Sequence, residues 1–291
     1  MKKFTFVLIL ALIANFMLIG AAFADVSEQD VKEAIKITEK LRKLSDRNDI
    51  EGIKKYYSDN YKSHDGYNKD QIMEIFETAR KLYPSSKTKE TIKKVDIEGD
   101  LIKIYIDEIS TTKFTVKGED ASYTENGKIK GKMVSSADYS MTYKKENDSL
   151  VVVADEIFSE VTDIRYGEAM EADFKMEAPK TLKPKEEFTV KTTLIVPEDR
   201  VAVGSIGHDK IVYPVEKYWD PYRAIDATGI LERVMIANND NINEYANATY
   251  AFIKTAKAKK GEKKKYRAVI SGMGFYVQRM NMEKTKNENK G

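Results

Sequence analysis

The spacing of the apolar residues changes at Pro84, and no other feature of this 291-residue sequence constrains its fold as strongly. Before Pro84 they recur at helical intervals; after it they alternate, almost to the C terminus. Ser27 with Asp30 makes a capping-box pattern, Asp standing for the usual Glu or Gln, and opens a helix striped by Val31, Ala34, Ile35, Leu41 and Leu44. Asp49 caps a short second helix through Tyr57, with Ile50, Ile53 and Tyr57 on one face. Asn68 with Gln71 opens a third, carrying Ile72, Ile75, Phe76, Ala79 and Leu82, and Pro84 ends it. Each stripe needs an apolar surface to cover, and the strands that follow supply one.

The alternation predicts strands over Ile92–Ile97, Leu101–Val116, Ile129–Lys144 and Leu150–Arg165, with turns at Gly99-Asp100, the Gly118–Gly127 stretch and Asn147-Asp148. Ile102, Ile104 and Ile106 share a face of the second strand; Met133, Ala137, Tyr139, Met141 and Tyr143 share a face of the third. Strands joined in this order form an antiparallel meander with the helices on one side. Past Gly167 there is no long helical pattern. Met170–Met176, Phe188–Val196, Val201–Ile206, Ile211–Tyr213, Ile230–Ile236, Tyr245–Ile253 and Tyr266–Met280 are strand-like, and their number and spacing predict a sandwich of immunoglobulin-like size. The expected fold class is α+β: helices on a curved antiparallel sheet over residues 25–167, then an all-β immunoglobulin-like sandwich over 168–282, then a polar tail from Glu283 to Gly291.

Residues 1–24 stand outside that fold. Lys2-Lys3, the apolar run Phe6–Ala14 and Ala22-Phe23-Ala24 before Asp25 read as a secretory signal peptide. Phe4–Ala24 also approaches the length of a membrane span, but the A-x-A site favours cleavage after Ala24 over retention as an anchor. The expectation is an exported protein, periplasmic or extracellular, with no transmembrane anchor after cleavage. Composition works mainly by exclusion. Without cysteine there are no disulfides, thiolate metal sites or Cys nucleophiles, and His64 and His208 alone are too few for a usual zinc site. Lys2 and Lys3 account for the excess of 49 basic over 47 acidic residues, so overall charge gives no argument for nucleic-acid or membrane binding. No G-x-S-x-G, P-loop, G-x-G-x-x-G or H-E-x-x-H occurs, and neither cofactor nor metal is expected. Gly272-Met273-Gly274 reads as a bulge in the last strand.

The run Arg47-Asn48-Asp49-Ile50-Glu51-Gly52-Ile53 into the second helix, and Tyr56-Tyr57-Ser58-Asp59-Asn60-Tyr61 out of it, carry a family likeness. With the third helix and long strands that follow, Ser27 to Arg165 resembles the nuclear transport factor 2-like superfamily, which includes the SnoaL-like and ketosteroid-isomerase-like domains. The resemblance implies a cone-shaped sheet wrapped around a helix, with a cavity open at one end where the family's enzymes use acids and tyrosines for proton transfer. Tyr57, Tyr61, His64 and Asp65 fall in the neighbourhood it points to. Glu108 continues the face of Ile102, Ile104 and Ile106, and Tyr139 lies on the apolar face of the third strand. Each has a plainer reading as well, Tyr57 and Tyr139 as core aromatics and Asp65-Gly66 as a turn. Residues 168–282 resemble no particular family.

Two surface features suit partner contacts. Lys254–Arg267 includes Lys259, Lys260, Lys263, Lys264 and Lys265, a basic tip that fits an anionic surface polymer or an acidic envelope protein, or that simply guards a strand edge. Tyr218, Trp219 and Tyr222 belong to the densest aromatic cluster, fit for a partner or for burial at the sandwich end. No aromatic interleaves the lysines, so nucleic acid is not expected. Asn238-Asn239-Asp240-Asn241 reads as a turn. Two functions stand. The absence of a catalytic signature favours a non-catalytic binding or scaffolding protein of a bacterial-type cell envelope. The alternative is a small-molecule-binding protein or enzyme that takes an apolar ligand into the cone. They part over the cone itself: an open apolar cavity with convergent polar groups and a shifted carboxyl, or one filled by Tyr139, Met133 and Met141.

Overall fold

The computed structural model describes residues 26–83, 85–117, 124, 127–214, 220–257 and 265–283. Residues 1–24, expected to be a signal peptide, and the tail beyond Glu283 therefore lie outside the described residues. Helices α1 (Glu28–Asp46), α2 (Ile50–Lys54) and α3 (Lys69–Leu82) come first. Both long helices begin on a complete capping box: Ser27 and Asp30 bond reciprocally at α1, Asn68 and Gln71 at α3. Asp49 accepts from the Gly52 amide at 2.8 Å and starts α2.

Strands β1 (Lys87–Glu98), β2 (Leu101–Lys117), β3 (Lys128–Glu146) and β4 (Ser149–Gly167) form the expected antiparallel meander. Its ladders slip at three places, leaving Lys93 of β1 and Val153 and Phe158 of β4 without a paired residue. Bulges bend a strand and add twist, which curves this sheet around the helices. Ala34, Ile37 and Leu41 of α1 and Ile53 of α2 bury against Ile102, Ile104, Ile106, Tyr143 and Val152. The segment after α2 runs along β4, with amides of Ser58, Lys62 and His64 donating to the carbonyls of Val152, Val153 and Asp155 at 2.9, 3.1 and 2.9 Å.

A 3₁₀ turn at Glu168–Glu171 replaces the first part of the strand expected from Met170. Then follow β5 (Phe174–Glu177), β6 (Thr181–Leu182), β7 (Glu187–Leu194), β8 (Val201–Lys210), β9 (Arg223–Ile225), β10 (Ile230–Ile236), β11 (Glu244–Lys257) and β12 (Tyr266–Met282). The strand expected at Ile211–Tyr213 is absent; the ladder ends at Lys210. The large sheet runs β1-β2-β3-β4-β12-β11-β8-β9, with β6 added parallel to β12. It does not stop at Gly167, because Val161–Gly167 of β4 pairs with Gly272–Gln278 of β12. The second half is thus two β layers, and its larger layer is a continuation of the first half's sheet rather than a sheet of its own. The smaller layer is β10-β7-β5, and Met176, Phe188, Val190, Ile206, Met235 and Met280 lie among the core between the layers. Gly272, Met273 and Gly274 are all paired with β11; the bulge lies one residue earlier, at Ser271, which has no partner opposite Phe252 and Ile253. A Cβ on Gly274 would stand 2.2 Å from the Tyr250 ring, so only glycine fits there.

Candidate functional site

Between the helices and the concave face of β1–β4 lies a cavity of about 430 Å³. Its wall is largely apolar, with Leu41, Ile53, Ile72, Phe76, Met133 and Ile157 among the contributors. Into it come Glu90 from β1, Glu108 and Ser110 from β2, Tyr139 from β3, Asp155 and Glu160 from β4, and Tyr57 from just beyond α2. The bulges decide which carboxyls face inward. Val152 of β4 packs in the core; past the extra residue Val153 the inward phase passes to Asp155 and Ile157, and past Phe158 it passes to Glu160 and Thr162.

Glu90 and Glu108 meet over a single phenol. The Tyr139 hydroxyl lies 3.3 Å from Glu90 Oε1 and 3.4 Å from Glu108 Oε2, and its one proton serves both. Ser110 Oγ donates to Glu108 Oε1 at 2.9 Å. Burial, reinforced by the neighbouring Glu108, pushes the Glu90 carboxyl up to about 7; burial also raises Glu108. Arg42 and Arg80 reach the same end of the cavity but are otherwise engaged. Arg42 pairs with Asp46 at 3.2 Å, and Arg80 donates to Ser45 Oγ and to the Ser86 carbonyl.

On β4, Asp155 accepts from the Tyr61 hydroxyl at 2.7 Å, yet burial outweighs that bond and lifts its carboxyl to about 6. Tyr57, 6% exposed, stands edge-on to Tyr61 and Phe76, and its hydroxyl has no hydrogen-bond partner among the described residues. Glu160 accepts from the Tyr245 hydroxyl of β11 at 2.7 Å, tying the wall to the second half. Carboxyls that titrate near neutrality inside an apolar wall can hold or release a proton and can bind a polar group on a ligand.

Of the residues singled out from the sequence, Tyr57, Glu108 and Tyr139 line the cavity, and Tyr61 stands behind it through Asp155. His64 is elsewhere, its Nδ1 3.8 Å from Glu156 Oε1. Asp65 is not a cavity residue either. The turn at Gly66, with φ of 90°, sends Asp65 toward β12, where its carboxylate takes two bonds from Arg279 at 2.6 and 2.9 Å and one from Asn243 at 2.8 Å. Glu90, Asp155 and Glu160 were not anticipated. Glu90 precedes the point where alternation becomes visible in β1, and bulges hide the other two. Of the partner-contact candidates, Tyr222 is 42% exposed and Lys265 is exposed. Tyr218, Trp219, Lys259, Lys260, Lys263 and Lys264 lie outside the described residues. Asn238 Oδ1 accepts from the Asp240 amide at 2.8 Å, the turn expected there. Among the described residues no helix is long and apolar enough to cross a membrane.

Fold and site together define a helix-covered, curved antiparallel sheet with an acid-lined cavity, continued into a second β-rich half. No family model matches the chain, and no curated protein matches its sequence. Solved structures similar to it over 45% of its length include an NTF2-like family protein from Streptomyces avermitilis, at 10% identity and a TM-score of 0.31 over 97% of that chain. They also include the Kfla4162 protein from Kribbella flavida, at 11% identity and 0.36 over 90% of that chain. Bd1075 from Bdellovibrio bacteriovorus is similar at 15% identity and 0.33, the match spanning 42% of its length.

Proposed function

We propose that this chain is an exported small-molecule-binding protein of a cell envelope, with its ligand site in the cavity of an NTF2-like domain. One observation carries the reading: an open, largely apolar space of about 430 Å³ into which Glu90, Glu108, Tyr139, Tyr57 and Asp155 converge. That volume lies in the range of small-molecule sites. Tyr139, Met133 and Met141 border the space without filling it, as a purely scaffolding cone would require. Export rests on the Lys2-Lys3, Phe6–Ala14 and Ala22-Phe23-Ala24 pattern. Residues 168–282 serve in this reading as an immunoglobulin-like sandwich module that braces the ligand domain, supported by the buried clusters of that half, one of them between its two β layers. A proton-transfer enzyme is the second reading, favoured by Asp155 and Glu90 titrating at about 6 and about 7 against an apolar wall.

Titration with Nile red, a neutral apolar dye, tests the cavity. Saturable fluorescence enhancement is expected from the native protein. Its loss is expected in Ala137→Phe, which puts a ring into the space beside Glu108 and Glu160. Undiminished dye binding by a folded Ala137→Phe variant rejects the reading.

A further inference from the structure

We propose that the ligand of this cavity carries an ammonium group on an apolar skeleton, held by Glu90 and Glu108 and faced by the rings of Tyr57 and Tyr139. The proposal rests on the cavity reading above and names its ligand class.

The charged groups of the wall are mostly acidic, four carboxyls against Arg42 and Arg80. Glu90, Glu108, Asp155 and Glu160 bring four carboxyl groups, and no lysine or arginine among the described residues is in ion-pair contact with any of them. The facing cations are Arg42 from α1, paired with Asp46, and Arg80 from α3, bonded among the described residues only to Ser45 and Ser86; neither touches the glutamates, though Arg42 acts on Glu90 and Arg80 on Glu108 at a distance, each favouring the ionised form. Donors to Glu90 and Glu108 are scarce. Tyr139 offers one proton at 3.3 and 3.4 Å, well beyond the roughly 2.7–2.8 Å of an ordinary O–H···O bond. Among the described residues, Ser110 supplies the one other bond, to Glu108. Each carboxylate has about four lone-pair positions, so most of the accepting capacity at this end is open.

Tyr57 gives an independent pointer. Its side chain is more than nine-tenths buried, it lines the cavity, and its hydroxyl is unpartnered among the described residues. A buried phenol normally finds a partner, and here that partner, water or a ligand, comes from the cavity side.

Three ligand chemistries can be weighed against this wall. A carboxylate ligand meets like charge. A neutral carbonyl can take bonds from the wall's hydroxyls but gives Glu90 and Glu108 no donor. An ammonium supplies three donors and a positive charge, and Tyr57, Tyr139 and Phe76 line the same space, where rings can stabilise a cation. Binding replaces a proton by the ligand's cation: protonated Glu90 releases H⁺ to solvent as the alkylammonium pairs with the carboxylate, and total charge is conserved.

Calorimetric titration of the protein with 1-aminoadamantane, 1-adamantanol and 1-adamantanecarboxylate at pH 8.0 and pH 5.5 tests this. At pH 8.0 the amine is expected to bind about tenfold or more tightly than the alcohol, with no measurable binding of the carboxylate. At pH 5.5, where Glu90 holds its proton, the preference should shrink. Glu90→Gln and Glu108→Gln, both near-isosteric, should each reduce it at pH 8.0. The native pH comparison stands even where a variant does not fold. No preference for the amine at pH 8.0, whether both compounds bind or neither does, overturns the inference. A preference unchanged in both folded variants also overturns it by placing the cation elsewhere. Nile red binding separates the two levels: retained, the cavity reading stands without the ammonium; absent, both fall.

Discussion

Two glutamates show how differently the halves of this molecule treat a carboxylate. Glu168, where the second half begins, accepts from Arg200 at 2.8 and 2.9 Å and from Ser271 at 2.6 Å, and these bonds hold its carboxyl down at about 2. Glu90, in the cone, has one long bond from a shared phenol and is pushed up to about 7. The pattern extends to their neighbours. Glu244, 1% exposed, accepts from His208 and from the amide and side chain of Asn238. Arg279 is closed onto Asp65. Where carboxylates have full partners they fasten elements together; where they lack them, beside open volume, the protein holds binding capacity that its own fold does not use.

The severest way to break this contrast is Arg279→Ala. It leaves Asp65 buried without its cation and is expected to lower unfolding free energy by about 3–5 kcal/mol in urea denaturation. A loss below about 1 kcal/mol would show that the second half's pairing is no tighter than the cone's. Next comes a matched pair of enlargements. Gly274→Ala drives a methyl into the Tyr250 ring and should lower stability by about 1–3 kcal/mol. Ala137→Phe, entering open space, should change it by less than about 1 kcal/mol; equal losses would remove the distinction between filled and unfilled halves.

Glu90→Gln is the subtlest test, and its sign is opposite. Glu90 is raised from 4.5 to about 7 in the folded state, so the native protein binds a proton that the unfolded chain gives up. Stability contributed by this group is therefore complete below about 4.5 and declines as pH rises through about 7. Removing the ionisation should make the variant about 1–2 kcal/mol more stable than the native protein at pH 8, after allowance for partial exposure, with no gain at pH 4.5. Chemical denaturation at the two pH values checks it. Equal stability at pH 8 would mean that Glu90 has a cation after all.

Local signals in the sequence proved easiest to read. Ser27/Asp30 and Asn68/Gln71 mark both long helices because a cap is made by residues three apart, and the strands from Leu101 to Arg165 follow their alternation almost to the residue. Tyr57, Glu108 and Tyr139 could be picked out because strand phase or chain position places them inward. Asp155 and Glu160 could not, since each bulge in β4 reverses the side on which the next residues fall, and nothing in the alternation marks Val153 or Phe158 as extra. Asp65 misleads for a different reason: its partner Arg279 lies 214 residues away, and the turn at Gly66 looks the same whatever its acid faces. The union of β4 with β12 is hidden in the same way, because an interior strand carries no mark of which strand will lie beside it.

That union has a consequence for the order in which the molecule can be built. A chain is made from its N terminus, so Val161–Gly167 of β4 emerges roughly a hundred residues before the Gly272–Gln278 segment that will cover it. Through that interval an interior strand of the finished sheet is an open edge, the kind of surface that pairs indiscriminately, and its proper closure is a slow, long-range event. The donor that fixes Glu160, Tyr245 on β11, arrives just as late. The cavity's lining is complete in sequence by Thr162, yet its shape is settled only when the last strands are in place.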